Sequence, residues 1–325
     1  MRRAALLFSA AAVALLVSGA AVSASPRACA DGGDAPAWSP TGRWVAWDPE
    51  GTNGICFSRA NGTQRRLLRL QEPDEPPYEL VWAKPNLLVA DSNYTVYSVA
   101  VRPTPHVNPP GHAFSGAAGK AGDTFSLDAK ADLLATANSV VAGPVTIMRP
   151  NGETTSIGDS SAVNAYPSLA PDGKHVVWSA PGGILSASID GTHSETLNGR
   201  GEEPLWSPSG RKIAFEYQGL HVMTASGGHK ATVAHDCCSS GWPETVAWSP
   251  DSRMIAFAND PGRLAVVDVR TKRRHTVKHI GFVEQLAWAP NSAELLVTTA
   301  SRACASRWRV PVRNGKPKLV SRCTS

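Results

Sequence analysis

A period of about forty residues constrains this chain more than any other feature. Aromatic or leucine anchors recur at Trp38, Trp82, Phe125, Leu169, Trp206, Trp248 and Trp288, at intervals of 44, 43, 44, 37, 42 and 40. The stretch "AWSPTGRWVAWD" at 37–48 returns as "AWSPDSRMIAFAND" at 247–260, with relatives at 80, 124, 167, 204 and 286. Self-similarity at such a period belongs to solenoids and propellers, whose units bury their apolar faces only against neighbouring copies.

The content of each unit decides between them. Ser207-Pro208-Ser209-Gly210 and its relatives have tight-turn chemistry: proline presets φ, a short polar residue follows, and glycine accepts positive φ. The apolar runs behind the turns, such as Ile213-Ala214-Phe215 and Ile255-Ala256-Phe257, suit strands buried on both faces. A second hairpin follows, with Asn61-Gly62, Asn151-Gly152, Asp190-Gly191 and Asn314-Gly315 as two-residue turn signals. The turn density excludes helical repeats, and a β-sandwich does not repeat its sequence seven times. The expected fold is all-β, a seven-bladed β-propeller of four-stranded antiparallel blades from about Pro36 to Arg322. Each blade is complete in sequence, so the ring is expected to close by side-chain packing between blades 1 and 7.

"WSPDS-RMIAF", "WSPSG-RKIAF" and "LAPDG-KHVVW", each leading to an outer hairpin, resemble the WD40-like repeats of TolB-type propellers. The resemblance covers nearly all of 36–322, most closely in blades 1, 4, 5 and 6. It implies a binding platform rather than a named activity, because one fold hosts many functions. TolB itself has an extra N-terminal domain, whereas about a dozen residues precede blade 1 here.

The N-terminus reads as an export signal. Arg2 and Arg3 precede an apolar run from Ala4 to Val17, and Val22-Ser23-Ala24 fits a signal-peptidase site. The expected division is a signal peptide over 1–24, an extension over 25–35 and the propeller over 36–325; an uncleaved anchor is the alternative. Arg27-Ala28 before Cys29 is unsuited to lipidation, Arg2-Arg3 lacks the rest of a twin-arginine signal, and no later segment is apolar enough to span. A secreted or periplasmic location follows. Loss of Arg2 and Arg3 takes the formal charge from +5 to +3, too mild for a nucleic-acid partner. Outside the cytoplasm, six cysteines read as disulfides rather than metal ligands. Hairpin registry pairs Cys29 with Cys56 and Cys304 with Cys323. Cys237 and Cys238 are then left to each other, with two reduced thiols or exchange as the competing reading.

Catalytic spellings are absent: there is no G-x-S-x-G, H-E-x-x-H, C-x-x-C, P-loop or G-x-G-x-x-G. No cofactor is expected. In a blade of strands a to d, the d–a connectors and b–c loops share one face, which here carries the long connector 102–124, the acidic stretch 71–79 and "HDCCSSGWPE" at 235–244. Carboxylates recur just ahead of strand a at Asp34, Glu79, Asp123, Glu203, Glu244 and Glu284. They bring acid towards one mouth of the channel, where a cation or basic ligand could bind; polar residues gathering where connectors meet water is the plainer reading. His175 and His221 fall in strands, while His106, His112, His235 and His279 fall in connectors. Arg65, Arg66, Arg69, Lys272, Arg273, Arg274, Arg313, Lys316 and Lys318 fall around the outer hairpins of blades 1, 6 and 7. They serve edge protection or an anionic envelope partner. The expected ligand or partner face comprises Glu79, Asp123, Glu203, His235, Trp242, Glu244 and Glu284. The expected function is a monomeric, non-catalytic platform for a protein or cell-envelope component. The alternative is an extracellular lyase or hydrolase with its site at the channel mouth.

Overall fold

The computed structural model describes residue 29, residues 34–49, 54–69, 79–92, 95–101, 105–107, 125–130, 132–138, 140–237, 245–259, 262–300, 305–313 and 315–321. Seven four-stranded antiparallel sheets follow one another along the chain, each in plain meander order. Blade 1 holds β1 (Asp34–Trp38), β2 (Trp44–Asp48), β3 (Gly54–Arg59) and β4 (Arg66–Arg69). Blade 2 holds β5 (Glu79–Lys84), β6 (Leu87–Ser92), β7 (Thr95–Val101) and β8 (Pro105–Val107). Blade 3 holds β9 (Phe125–Lys130), β10 (Leu133–Asn138), β11 (Val145–Met148) and β12 (Thr154–Ile157). Blade 4 holds β13 (Ala165–Leu169), β14 (His175–Ala180), β15 (Gly183–Ser188) and β16 (Glu195–Asn198). Blade 5 holds β17 (Glu202–Trp206), β18 (Lys212–Glu216), β19 (Leu220–Thr224) and β20 (Ala231–Ala234). Blade 6 holds β21 (Val246–Trp248), β22 (Met254–Asn259), β23 (Arg263–Asp268) and β24 (Arg274–Thr276). Blade 7 holds β25 (Phe282–Trp288), β26 (Glu294–Ala300), β27 (Ala305–Pro311) and β28 (Lys318–Ser321). The seven blades expected from the anchor spacing are all present, and among the described residues no strand is shared across the ring closure.

The outer hairpins differ from the expected two-residue turns. Gly62 N–H bonds Arg59 O, and Arg59 N–H bonds Thr63 O, so three residues turn the chain. Glu153 closes the same motif on Arg149, and Thr192 closes it on Ser188. Only the glycine is left-handed, at φ 82° for Gly62, 85° for Gly152 and 85° for Gly191. The preceding Asn61 stays right-handed because its side chain accepts the Thr63 amide at 3.1 Å, a local bond that a mirror-image two-residue turn would forgo.

Strand a of each blade is tied to at least one neighbour by polar bonds that the pleat cannot supply. The Trp82 indole donates to Ala37 O at 3.3 Å, Trp248 to Leu205 O at 3.1 Å, and Trp288 to Ala247 O at 2.9 Å. Blades 3, 4 and 5 use a carboxylate and a hydroxyl instead. Asp128 accepts the Leu169 amide at 2.8 Å and the Ser168 hydroxyl at 3.3 Å, and Ser168 Oγ accepts the Trp206 amide at 3.1 Å. Apolar clusters fill the spaces between blades, as where Trp288, Leu295 and Val297 of blade 7 meet Met254, Leu264 and Val266 of blade 6.

The closure between blades 7 and 1 is built differently. Its buried cluster is Cys29, Val45, Trp47, Cys56, Leu67 and Leu296, so only Leu296 comes from blade 7. Strand β27 turns Arg307 and Arg309 towards blade 1, while Trp308 and Val310 pack on the blade 6 side. The Arg307 guanidinium stacks on Trp47 at 4.0 Å, and Arg309 sits over Trp38 at 5.6 Å. Arg309 also donates to Ala60 O at 3.2 Å and forks onto Glu294 at 2.9 and 2.6 Å. A disulfide joins Cys29 to Cys56, as registry predicts, and holds Cys29 in the seam cluster. Closing that loop restrains the unfolded chain by roughly 2–4 kcal/mol, against about 0.5–2 kcal/mol for a desolvated stacked arginine. The disulfide is therefore the larger single contribution at the seam.

On the opposite face from the connectors, the a–b turns touch around the ring. Ser252 and Ser292 take the left-handed place that Gly210 fills in blade 5, at φ 59° and 57°. Their hydroxyls reach the preceding blade: Ser209 N–H donates to Ser252 Oγ at 2.8 Å, and Asp251 N–H to Ser292 Oγ at 3.1 Å. A strained backbone is thus offset by an inter-blade bond. Ser252→Ala keeps the strain and loses the bond, and should cost about 1 kcal/mol in urea unfolding. Ser252→Gly removes both and should lie within about 0.5 kcal/mol of the parent. Equal losses in the two variants would show that the hydroxyl, and not its balance with φ, sets the cost.

Candidate functional site: the connector face

The channel mouth on the connector face is shaped by bulges at the entry of strand a. Register shifts occur between Asp34 and Ala37 in β1, Ala165 and Ser168 in β13, Glu202 and Leu205 in β17, and Val283 and Gln285 in β25. An extra residue at such a place bends the strand and re-aims a side chain. In blades 4 and 5 the bulge residues are Tyr166 and Glu203, both at φ 52°. Each precedes a proline, Pro167 or Pro204, which disfavours helical backbone in the residue before it. A left-handed tyrosine or glutamate stores roughly 1–3 kcal/mol, and such strain gathers where a surface is held for a purpose. The neighbouring blade helps hold it: Glu203 N–H donates to Ser179 Oγ of β14 at 2.8 Å. Glu202 is exposed and lies opposite Glu216 of β18, so blade 5 brings three carboxylate residues to one rim.

The expected acids that the structure describes lie on separate blades. Asp34 opens β1, Glu79 opens β5, Glu203 lies in the β17 bulge, and Glu284 is exposed in the β25 bulge. They share a rim but sit on separate blades, because the ring divides them. Among the described residues no group of three or more His, Cys, Asp or Glu side chains is placed to hold a metal ion. Asp123, Trp242 and Glu244 lie outside the described residues. Tyr166 and the Asp128–Ser168 bridge were not anticipated. The signal that could have found Tyr166 is the residue–proline pair just ahead of the anchor, repeated as Ala35-Pro36, Tyr166-Pro167 and Glu203-Pro204.

The segment starting at His235 is anchored more deeply than a surface loop would be. His235 is exposed, but Cys237 is 3% exposed and packs with Leu220, Val222, Trp248 and Phe257 between blades 5 and 6. It bridges Asn259 through the backbone, and it is disulfide-bonded. Cys238, Cys304 and Cys323 lie outside the described residues, so the pairings expected for them do too. The sequence-based picture of a solvent-facing 235–244 loop is corrected at Cys237, whose disulfide-bonded side chain packs in the interface. Beside it Asp236 accepts from Arg274 and, at 3.2 Å, from Asn259. Arg274, expected in the basic rim, is thus engaged by a carboxylate. Lys272, Arg273, Arg313, Lys316 and Lys318 are exposed along the rim.

The exposed apolar side chains are unevenly distributed. Val140 (65%), Val141 (54%) and Phe282 (58%) lie on the connector face, in the b–c loop of blade 3 and at the entry of β25. Phe282 covers the blade 6 b–c turn so closely that its ring carbons occupy the space of any side chain at Gly262. The other two, Leu319 and Val320, lie on the outer strand β28.

No family model and no curated protein matches the chain. Solved structures do. An oligogalacturonate lyase in complex with manganese aligns with a TM-score of 0.65 at 12% identity, over 90% of this chain and 94% of that one. An oligogalacturonate lyase from Vibrio parahaemolyticus aligns at 0.66 and 10%, over 88% and 92%. A chain of the mitotic checkpoint complex aligns at 0.63 and 16%, over 97% and 99%. At these identities the likeness defines the class by fold: this is a seven-bladed β-propeller.

The hydrogen bond from Arg274, with a smaller contribution from Asn259, holds the Asp236 carboxyl below the usual carboxylate range despite partial burial. A depressed folded-state value stabilises the fold above the unfolded value and is lost as pH falls through the folded one. The pair is partly exposed, so the effect is under about 1 kcal/mol. Asp236→Asn should lower unfolding free energy by that amount at neutral pH, and the gap from the parent should close below about pH 4. A gap independent of pH would assign the loss to packing.

Proposed function

We propose that the chain is an exported, TolB-type propeller that binds a protein or cell-envelope component on its connector face without transforming it. The observation that carries this reading is the placement of Val140, Val141 and Phe282. Three large apolar side chains are more than half exposed on the one face where the bulged strand entries and the long connectors also lie. Isolated exposed apolar residues are ordinary, but a rigid scaffold presenting them beside strained Tyr166 and Glu203 has the make-up of a recognition surface. The export signal over 1–24 and the Cys29–Cys56 disulfide support an oxidising compartment. The resemblance to TolB-type repeats supports a platform role, and a monomer is the form proposed.

Affinity capture from the secreted and envelope fractions tests this directly. Parent protein should retain a component that Phe282→Asp and Val141→Asp each weaken by at least tenfold, with thermal unfolding unchanged in Val141→Asp and lowered slightly in Phe282→Asp, whose ring packs over Gly262. Equal capture by parent and both variants would remove the connector face from the interaction.

The second reading, an extracellular lyase or hydrolase at the channel mouth, is favoured by the fold likeness to two oligogalacturonate lyases and by the strain at Glu203. Incubation with oligogalacturonate, with and without manganese, separates the readings. New unsaturated ends that disappear in Glu203→Gln would support the enzyme, and unchanged chains would leave the platform.

A further inference from the structure

The face opposite the connectors carries charge that neither the fold nor the connector face uses. Arg43, Lys174, Arg211 and Arg253 occupy the same place in four blades, after the left-handed turn residue Gly42, Gly173, Gly210 or Ser252 and just ahead of strand b. All four are exposed. Strand b is an interior strand of its sheet, so a charge at its head protects no edge. The carbonyl of the same residue accepts an amide from the outer hairpin of its own blade. Ala60 N–H donates to Arg43 O at 3.1 Å, Ala225 N–H to Arg211 O at 3.0 Å, and Val269 N–H to Arg253 O at 3.0 Å. Inner turn and outer hairpin are thereby fastened into one rigid unit per blade, from which the side chains project.

The charge is shared unevenly around the ring. In blades 2 and 3, Lys84 pairs with Asp132 at 2.7 Å and Lys130 with Asp128 at 2.8 Å. In blade 4, Lys174 stands with exposed Asp172, Asp190 and Glu195. From blade 5 through blades 6 and 7 to blade 1 the balance reverses. The a–b turns and outer hairpins of blades 5 and 1 contain no acid. In blade 6, Asp251 accepts the Arg253 amide at 3.1 Å and Asp268 the Thr271 amide at 2.7 Å, both within their own turns. Glu294 of blade 7 takes both prongs of Arg309. Against these, Arg211, Arg253 and Arg43 of the inner row are joined by Lys272 and Arg273 of blade 6 and by Arg313 and Lys316 of blade 7. All are exposed and make no ion pair among the described residues. A basic arc over four blades, with the remainder neutralised, suits a chain running along it; a flat lipid surface would meet all seven blades. These turns hold no Phe, Tyr or Trp on which a base could stack. The exposed large apolar side chains lie on the connector face and on β28, so this face lacks the apolar anchors of a protein interface.

We propose that the arc from blade 5 through blades 6 and 7 to blade 1 is a track for a flexible linear polyanion, a polymer with an anionic group on each repeat. Each fixed cation neutralises one such group and releases its counterion, so binding is multivalent and weakens with salt. The track lies opposite the connector face and does not rest on the binding role proposed for that face.

The test titrates the intact protein with long-chain polyphosphate, tripolyphosphate and uncharged dextran, and sediments it with phosphatidylglycerol vesicles. Long-chain polyphosphate should bind at least about tenfold more tightly per phosphate than tripolyphosphate, and dextran should not bind. Log affinity should fall against log salt with a slope of about −3.5 to −5, for about five to seven neutralising contacts. Arg211→Gln/Arg253→Gln should weaken binding about fivefold or more and flatten the slope by about 1.4. Arg263→Gln/Lys278→Gln removes the same charge from exposed positions on the connector side and should bind as the parent does. Both double variants alter exposed side chains, so their unfolding midpoints should match the parent's. Equal weakening by the two pairs, an affinity per phosphate independent of chain length, or sedimentation with vesicles without polyphosphate binding would overturn the track.

Discussion

A ring of seven sheets stands only if its last sheet holds its first, and among the described residues no strand crosses the gap. The seam is made by the Cys29–Cys56 disulfide, the Arg307–Trp47 stack, and Arg309 bridging Glu294, Trp38 and Ala60. The apolar contribution at the seam is small, with one buried residue from blade 7 among six described. Elsewhere blades meet through clusters such as the thirteen buried residues between blades 6 and 7. Where hydrophobic burial is thin, covalent restraint and desolvated charge take over.

Closure in turn sets the geometry of the connector face. The tryptophan indole bonds and the Asp128–Ser168–Trp206 chain hold strand a of blade 2 to blade 1 and link the strands a of blades 3 to 7 in turn. The bulges at Tyr166 and Glu203 can then keep an unfavourable backbone, because Ser179 and the flanking prolines leave no low-cost escape. The propeller is thereby a rigid frame that presents short strained entries, acids and exposed apolar groups at one rim.

Much of the frame was legible in the sequence, because each blade repeats local chemistry. Seven anchors gave seven sheets, and the Cys29–Cys56 pairing followed from both residues lying at one end of blade 1. The outer turns were misjudged by one residue, since asparagine before glycine serves either a mirror-image turn or an Asx-capped one. The seam was not legible. Trp47 and Arg307 are 260 positions apart in sequence, and nothing local marks them as partners. The hint was in "SRWRVP", where arginines occupy alternate positions of a strand that in other blades faces its neighbour with apolar groups. Cys237 was read as exposed because its surroundings in sequence are polar, whereas β20 delivers it into the interface of blades 5 and 6.

Native-state hydrogen exchange on the parent and on Cys29→Ala/Cys56→Ala tests the closing role of the seam most directly. If the seam limits the ring, protection should fall first and most in β1 to β4 and β25 to β28, while β13 to β20 keep the parent's values. A uniform loss over all seven blades, or a loss greatest in blades 3 to 5, would contradict a ring that opens where blade 7 meets blade 1.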